Sequence, residues 1–235
     1  MRVLTWNVFH GRSLPPARGR ALADAFAGLL GSWEWEVALL QEVPPWWPER
    51  LARKMSTAQS TALTSRNALL PVRRALAERW PELMKSNGGG ANAVLVRGRG
   101  IVASRRVRLR RWPERRVAQL VRLEDGMCVA NFHASARVAL AEEELRDLWQ
   151  VALDWAAGSP LVLGGDLNLR SPVAPGEDVV HLAARDVDHL FARGVRPSAP
   201  ARILERRVRV KGAQVELSDH PPLLVELERP RDGER

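Results

Sequence analysis

Short apolar stretches recur along the chain and are separated by polar or helix-forming segments. Within each stretch Val, Leu, Ile or Ala follow one another with few interruptions, which is typical of strands that are buried on both faces. The predicted strands are residues 3–8, 37–40, 93–96, 128–132, 161–163 and 223–227.

Apolar side chains recur at helical spacing between some of these strands. Residues 20–30 and 138–156 each place their leucine and aromatic side chains on one face, which predicts two amphipathic helices. Shorter helices are predicted after Pro48 and Pro71.

Two hairpins are predicted from turn-forming residue pairs, one of which follows a segment of alternating apolar and polar side chains. Residues 116–123 alternate between apolar and polar side chains and are followed by a turn at Asp125 and Gly126. A second hairpin is expected to turn at Lys211 and Gly212. Helical crossovers together with hairpins indicate an α/β protein with mixed sheets.

The same pattern predicts the domain organisation. No internal repeat or interdomain linker interrupts the alternation of strands and helices, so we expect a single domain over residues 1–229. Residues 171–178 contain two prolines and a glycine and are predicted to form a surface loop, and residues 230–235 are expected to be a disordered polar tail.

Composition narrows the class of protein. The 235 residues are 46% hydrophobic, enough for one sizeable core without disulfides or structural metals. Cys128 is the only cysteine, which excludes an internal disulfide and a zinc site built from several thiolates. The first eight residues resemble a strand rather than a signal peptide, and no apolar run approaches the roughly 20 residues of a membrane span. We therefore expect a soluble, cytoplasmic protein with no obligate protein partner.

Charge adds a weak indication of a polyanionic partner. The formal net charge is +9, and only Lys54, Lys85 and Lys211 among the 36 basic residues are lysines. Such an excess of arginine can bind phosphates, but it is also what a GC-rich coding sequence produces. The charge alone therefore names no substrate.

Polar side chains that could do chemistry stand at or just beyond the ends of the apolar stretches, where sites on sheets are usually built. They are Asn7, Glu42, His133, Asp166, Asn168, Asp219 and His220. Each alone has an ordinary explanation as a turn cap, a solvated loop acid or a buried histidine. Together they would need five strand ends to present such groups by coincidence. Carboxylate and amide oxygens without thiolates suit Mg²⁺ or Mn²⁺, and the histidines could activate water.

An ordered set of motifs resembles the endonuclease/exonuclease/phosphatase superfamily, whose members include relatives of deoxyribonuclease I. The motifs are Thr5-Trp6-Asn7-Val8, Leu40-Gln41-Glu42-Val43, Asn92-Ala93-Val94-Leu95, Asn131-Phe132-His133, Gly165-Asp166-Leu167-Asn168, Asp188-His189-Leu190-Phe191 and Ser218-Asp219-His220-Pro221. The resemblance implies a four-layer α/β sandwich, in which two mixed β-sheets pack face to face with helices outside. It also implies metal-dependent hydrolysis of a phosphodiester.

The resemblance assigns a role to each matching residue. Glu42 would be the principal ligand of Mg²⁺ or Mn²⁺, with Asn7 and Asp219 completing the metal site. His220 would be the general base, oriented by Asp188, with Asp186 as the competing partner. Asp166 would orient the attacking water or assist the leaving oxygen. Asn168 and His133 would donate hydrogen bonds to the phosphoryl oxygens.

Residues that differ from the family motifs, or lie next to them, bear on how the substrate is bound. Asn92 is predicted to contact substrate. Ala91 replaces the glycine expected before it, and Arg97 stands where a serine is common, so both departures affect substrate contacts more than the metal site. Arg12 and His10 follow Asn7 closely and could face a phosphate or lie in a solvated loop.

Two features favour nucleic acid as the substrate. Seven arginines lie between residues 105 and 116, interrupted by the single acid Glu114, and could follow a phosphate backbone. Trp46 and Trp47 could stack on bases. The arginines could equally mark a solvated edge strand, and the tryptophans could enter a lipid interface or the core. A phosphatase or phospholipase-type hydrolase, and a nucleic-acid-binding module without catalysis, remain as alternatives.

Overall fold

The computed structural model describes residues 1–17, 21–64, 70–79 and 90–229. The predicted tail at 230–235 lies outside the described residues. The helices are α1 (Ala21–Ser32), α2 (Pro48–Met55), α3 (Leu70–Arg79) and α4 (Val138–Ala156). The strands are β1 (Arg2–Asn7), β2 (Ser13–Leu14), β3 (Val37–Val43), β4 (Ala58–Leu63), β5 (Ala91–Val96), β6 (Ile101–Arg110), β7 (Arg116–Leu123), β8 (Cys128–His133), β9 (Leu161–Asp166), β10 (Val179–Arg185), β11 (Asp188–Arg193), β12 (Arg196–Pro197), β13 (Arg202–Ile203), β14 (Arg207–Val210), β15 (Ala213–Leu217) and β16 (Leu223–Glu228).

The six apolar stretches and the four helical segments all form the elements that their patterns predict. Several strands run further than the apolar run because their polar ends still pair with a neighbour. For example, β9 continues through Gly164, Gly165 and Asp166, which are paired with β11. Both predicted hairpins are present, as the antiparallel pairs β7–β8 and β14–β15.

Most of the described strands form two large mixed sheets. The first has the order β12-β16-β1-β3-β5-β4, with β13 also paired to β16, and the second has the order β10-β11-β9-β8-β7-β6. The pairs β1–β3 and β8–β9 are parallel, and their neighbours are antiparallel. The short strands β14, β15 and β2 form a small third sheet.

Three apolar layers hold these elements together and confirm the predicted four-layer sandwich. Between the two sheets lie inward-facing side chains such as Leu39 and Val129. Helices α1 and α2 bury Phe26 and Leu51 against the outer face of the first sheet. Helix α4 buries Leu148 against the outer face of the second. The central strands of both sheets are thus covered on both faces, which explains their near-continuous apolar sequences.

Three buried amide side chains interrupt the apolar layer between the sheets. The Gln41 amide of β3 donates to Asn131 Oδ1 of β8 at 2.8 Å. Asn131 in turn donates to the carbonyl oxygens of Leu40 and Ala93, at 3.0 and 3.1 Å, and to Gln119 Oε1 at 3.4 Å. All three amide side chains are fully buried. Because a buried amide that loses its partner costs about 1–3 kcal/mol, this network fixes how the two sheets are aligned.

The strand ends that carry the predicted site residues lie at one end of the sandwich, which we call the site edge. Strands β1, β3, β8 and β9 end there, and β5, β7 and β11 begin there. In the described part of the chain, no helix is long and apolar enough to cross a membrane.

Candidate active site

Asn7, at the end of β1, connects the two sheets at the site edge. Its Nδ2 donates to Asp166 Oδ2, at the end of β9, at 2.9 Å. Its Oδ1 accepts the Phe9 N–H at 2.9 Å, which holds the amide in one orientation. The side chain is almost wholly buried. Asn7 therefore positions Asp166 and keeps one lone pair of its Oδ1 for a further partner.

Glu42 is aimed at the site by an irregularity in β3. The pairing with β5 shifts between Leu40 and Val43, and Glu42 takes a left-handed conformation with φ of 51°. Such a bulge turns a side chain out of the regular alternation of a strand. Glu42 Oε2 lies 3.0 Å from His10 Nε2, and Oε1 lies 3.8 Å from His133 Nε2. The carboxylate thus faces two imidazoles at the site edge.

Two glycines allow Asp166 to stand beside β8. A Cβ on Gly165 would lie 1.9 Å from the carbonyl oxygen of Phe132, and the φ of Gly165 is 140°. A Cβ on Gly164 would lie 2.4 Å from the Leu190 side chain. Only glycine fits this close approach of β9 to its neighbours, which sets the position of the carboxylate that follows.

Asp166 lies at the centre of the site. Its Oδ1 accepts the backbone N–H of Asn168 at 3.1 Å. Its Oδ2 lies 3.5 Å from His133 Nε2 and 3.9 Å from His220 Nε2, in addition to the hydrogen bond from Asn7. The side chain is only 3% exposed, so this carboxylate interacts with its neighbours in a poorly hydrated setting.

His220 and Asp188 form a hydrogen-bonded pair between the sheets. His220 Nδ1 donates to Asp188 Oδ2 at 2.7 Å. The competing Asp186 is exposed and pairs with Arg170 instead. Burial raises the pKa of Asp188 to about 6 despite the adjacent histidine. Burial opposes protonation of His220, but the bond to Asp188 and the nearby acids prevail and raise its pKa to about 9. The proton of the pair therefore resides on His220 at neutral pH.

A turn built on Ser218 holds His220 in place. The Ser218 hydroxyl donates to the Asn7 carbonyl at 2.6 Å and accepts the His220 N–H at 3.0 Å. The Trp6 indole N–H donates to the His220 carbonyl at 2.8 Å. The sequence assigned no role to Ser218 or Trp6 beyond their motifs, because the bonds from these residues to the opposite end of the chain span more than 200 positions.

Asn168 and His133 complete the second sheet's contribution. Asn168 Nδ2 donates to the Ala134 carbonyl at 2.9 Å, and its φ of 51° marks a sharp turn after β9. Burial lowers the pKa of His133, although the nearby Asp166 carboxylate opposes this. Among the described residues the Asn168 amide donates one side-chain hydrogen bond, so its second hydrogen can meet a further acceptor.

Two basic residues at the site edge were undervalued by sequence reasoning. His10 contacts Glu42 directly, and burial together with Arg12 lowers its pKa to about 4. Arg116, at the start of β7, is 9% exposed, and its Nε is buried without a hydrogen-bond partner among the described residues. Its charge contributes to lowering the pKa of His133. Sequence reasoning grouped Arg116 with exposed arginines. Its place at a strand start on the site edge was the signal that could have separated it.

The predicted aromatic contacts with substrate are not all available. The prediction for Trp47 is wrong because its ring is only 8% exposed and packs against Phe26 at 5.3 Å between ring centroids. It also occupies the space beside Gly11, where a Cβ would lie 2.3 Å from the ring. Trp46 is half-buried against the same core. Trp46 and Trp47 therefore anchor the start of α2 to the core.

Of the two other residues predicted to contact substrate, one is buried and one lies beside the site. Asn92 is fully buried, and its Nδ2 donates to the Val117 carbonyl at 3.3 Å. The prediction that it contacts substrate is therefore wrong for this conformation, and the side chain instead joins the sheets. Arg12 lies over the Phe9 ring at 5.2 Å and is close enough to lower the pKa of His10. It stays beside the site.

The donor groups fit a hard divalent cation. Glu42 and Asp219 offer carboxylate oxygens, and Asn7 offers an amide oxygen, with no thiolate among the described residues of the site. Such oxygen donors are preferred by Mg²⁺ and related ions. Ligand atoms of Asp166, Asp188 and His220 also lie within 4.8 Å of one another, so this acidic cluster is a possible metal site.

Comparison with known proteins identifies the family. The sequence profile described as the endonuclease/exonuclease/phosphatase family matches residues 4–220. The chain belongs to the endonuclease/exonuclease/phosphatase family. It is therefore a hydrolase of phosphoester bonds, and the enzymes of this family depend on metal ions. No curated protein sequence matches the chain.

Several solved structures share the fold of this chain at low sequence identity. An endonuclease/exonuclease/phosphatase from Bacteroides vulgatus has a TM-score of 0.72 and 16% identity, covering 97% of this chain and 98% of its own. TDP2 from Caenorhabditis elegans has a TM-score of 0.68 and 15% identity, covering 96% of this chain and 73% of its own. A mannosyl-6-phosphatase from Bacteroides thetaiotaomicron has a TM-score of 0.68 and 14% identity, covering 97% of this chain and 99% of its own.

Proposed function

We propose that this family member is a Mg²⁺- or Mn²⁺-dependent phosphodiester hydrolase that acts on DNA or RNA. The observation that carries the proposal is the His220–Asp188 hydrogen bond of 2.7 Å, formed at the same edge as Asp166 and Glu42. A base with an oriented proton, a central carboxylate and an oxygen donor set are the groups that hydrolysis of a phosphodiester requires.

His220 acts as the general base in this proposal. Because its Nδ1 is bonded to Asp188, Nε2 is the nitrogen that accepts a proton from water. That nitrogen lies 3.9 Å from both Asp166 Oδ2 and Asp219 Oδ1, so a water between them is oriented by carboxylates. Asp188 is the positioning residue because it fixes the tautomer and stabilises the imidazolium that forms.

Asp166 and its neighbours act on the phosphate. Asp166 orients the water or assists proton transfer to the leaving oxygen, and Asn7 holds it in place through the 2.9 Å hydrogen bond. Asn168, His133 and Arg116 supply donors and positive charge toward the phosphoryl oxygens, where negative charge develops.

Glu42, Asn7 and Asp219 are the residues that would hold the metal. When bound there, a divalent cation supplies Lewis-acid polarisation of the phosphate and stabilisation of the leaving oxygen. His10 contacts Oε2 of Glu42 at 3.0 Å and restricts the rotation of that carboxylate. Orientation of a ligand by a neighbouring imidazole is a common feature of metal sites.

The choice of nucleic acid rests on charge. The net charge is +9, and exposed arginines occupy β6 and the turn that follows it. A polyanionic strand would lie along such a surface with a favourable, salt-dependent free energy.

The experiment compares substrates and variants in one assay. Purified protein with Mg²⁺ should hydrolyse bis(p-nitrophenyl) phosphate and shorten a labelled oligonucleotide, and EDTA should stop both reactions. Glu42→Ala and His220→Ala should lose both activities while keeping the wild-type circular dichroism spectrum. Val102→Ala, which truncates an exposed side chain on β6, should behave as the wild type. Full activity in either site variant would contradict the assignment.

A phosphomonoesterase is the second candidate function. It is favoured by the structural likeness to the mannosyl-6-phosphatase, which is matched over 99% of its length. Sugar phosphates, inositol phosphates and phospholipids tested beside the oligonucleotide distinguish the two candidates. Faster turnover of a monoester than of any diester would favour the second. Salt-dependent binding of nucleic acid without turnover in Mg²⁺ or Mn²⁺ would instead indicate a binding module.

A further inference from the structure

The turn between β6 and β7 carries the most exposed aromatic side chain in the described part of the chain. Trp112 is 72% exposed, whereas Trp46 and Trp47 pack against the core. The neighbouring Arg111, Pro113 and Arg115 are also exposed. An exposed indole of this size is costly in water, and covering it by a partner is favourable.

The sheet register places this turn beside the catalytic groups. Gln119 of β7 is opposite Asn131 of β8, so Val117 is level with His133, and Val117 is itself opposite Arg108 of β6. The chain then continues past this level into the turn. Since neighbouring strands lie about 4.8 Å apart, the turn stands roughly 10–20 Å from His133, on the same edge. This span corresponds to a few nucleotides of a single strand.

Most of the positive charges around Trp112 are available to a partner. Glu114, the acid of the turn, is bound by Arg116, and Arg110 is bound by Glu143 and Glu144 of α4. The other arginines of this surface form no ion pair with a carboxylate in the described residues; they are Arg105, Arg106, Arg108, Arg111 and Arg115. We call Trp112 and these five arginines the hairpin surface.

The edge position of β6 explains why the hairpin surface stays open. Among the described strands, β6 pairs with β7 alone and ends the second sheet. Val107 and Leu109 pack toward α4, and Arg106 and Arg108, which alternate with them along the strand, are exposed on its other face. Charged side chains on an edge strand prevent unwanted pairing, but that role requires no tryptophan at the tip.

We propose that the hairpin surface binds the strand of a nucleic acid substrate, with Trp112 stacked on an unpaired base a few nucleotides from the scissile phosphate. The inference rests on the proposed nuclease function. A lone indole among guanidinium groups without carboxylate partners matches a ligand that alternates flat rings with phosphates. A single strand is favoured over a duplex because its bases offer a free face without the cost of unstacking.

An apolar protein partner fits this surface less well. The indole is surrounded by cations, and Val102, the large exposed apolar side chain of β6, lies near the end of the strand that is remote from the turn. Protein interfaces of that type bury contiguous apolar area. An anionic membrane would also attract the cations, and it is therefore an arm of the test.

The test measures binding in EDTA, where no turnover occurs. Fluorescence anisotropy compares the wild type, Trp112→Ala, Trp112→Phe and Val102→Ala with a labelled 12-nucleotide oligothymidine, its abasic analogue, a duplex and anionic phosphatidylglycerol vesicles. Stacking on one base predicts about 5- to 150-fold weaker binding of the oligothymidine by Trp112→Ala. Trp112→Phe should retain most of the affinity, and Val102→Ala all of it. The abasic strand should not distinguish Trp112→Ala from the wild type.

Other results would overturn the proposal. Binding of the oligothymidine by Trp112→Ala within twofold of the wild type would contradict stacking. An equal loss of affinity for the abasic strand or the duplex would contradict recognition of an unpaired base. A loss confined to vesicles would assign the surface to lipid. Hydrolysis of bis(p-nitrophenyl) phosphate by the wild type, measured separately with Mg²⁺, tests the proposed function without the hairpin surface.

Discussion

The site edge contains two regions that use charged residues in opposite ways. Around Asp166 the charged and polar groups are largely buried and contact one another, as with Asn7 at 2.9 Å and His133 at 3.5 Å. On the hairpin surface the guanidinium groups are mostly exposed and form no ion pair within the described residues. In the first region each side chain restricts the conformations of its neighbours. On the hairpin surface the side chains are solvated, and each can move independently of the others.

This difference predicts how mutations act in the two regions. Removing one group from the centre leaves buried partners unsatisfied, so effects are large and non-additive. Removing an arginine from the hairpin surface costs only its own screened interactions with a ligand, so effects are small and additive.

The largest expected effect is on the chemical step. We expect His220→Ala to lower kcat by about 10²–10⁴ because the general base is removed. Steady-state kinetics on bis(p-nitrophenyl) phosphate measures this, with Val102→Ala as the control for handling and folding. If the His220→Ala protein is folded and its kcat is within fivefold of the wild-type value, the expectation of large effects around Asp166 is wrong.

Replacing a buried tryptophan should lower the stability of the fold, whereas replacing an exposed one should not. We expect Trp47→Ala to lower the free energy of unfolding by about 3–5 kcal/mol, because the ring fills the space between Gly11 and Phe26. Trp112→Ala should change it by less than about 0.5 kcal/mol, since the side chain is 72% exposed. Urea unfolding followed by circular dichroism measures both. Similar losses of stability in the two variants would show that the turn is part of the core.

The contact between His10 and Glu42 predicts an effect on metal binding. We expect His10→Ala to weaken Mg²⁺ affinity by about 10- to 100-fold, because Glu42 loses the group that orients it. Isothermal titration calorimetry gives the affinity directly, and His181→Ala on β10 is the matched control away from the metal ligands. Unchanged affinity in His10→Ala would mean that Glu42 is held by other contacts.

The His220–Asp188 pair predicts the dependence of activity on pH. A general base must be neutral, and the pKa of His220 is about 9, so the rate should rise with pH until about pH 9. Asp188→Asn removes a charge that raises this pKa, so the rising limb should move to lower pH while activity falls. Profiles of kcat/KM from pH 5 to 10 measure the limb. A limb that stays in place in Asp188→Asn would assign it to another group.

The smallest expected effect concerns single charges of the hairpin surface. Replacing Arg106 and Arg108 by alanine should reduce the slope of log affinity against log salt by about 0.7 for each phosphate that is no longer neutralised. Anisotropy titrations with oligothymidine at several NaCl concentrations measure the slope. A weakening of affinity that is independent of salt would show that these side chains act by shape rather than charge.

Much of this arrangement could be predicted from the sequence. The apolar runs predicted the central strands because burial on both faces leaves a strong signature, and the polar residues that follow them marked the site edge. Strands β4 and β10 carry mostly polar or half-exposed residues at sheet edges and therefore had no such signature.

The environment of individual side chains could not be predicted because it depends on distant residues. Trp47 is buried because Gly11 leaves space for its ring. Arg116 differs from the exposed arginines before it because it begins β7 at the site edge. The structure also separates Asp188 from Asp186, since Asp188 bonds to His220 whereas Asp186 pairs with Arg170. The local pattern of apolar and polar residues does not show which distant residues come into contact.

The hydrogen bond from Asn7 to Asp166 has a consequence for biosynthesis. It joins two residues 159 positions apart, and His220 enters the chain later still. A ribosome-bound chain that lacks its last strands therefore holds Glu42 and Asp166 without His220, the proposed general base. We expect hydrolytic activity to arise only after His220 has been added and both sheets have docked.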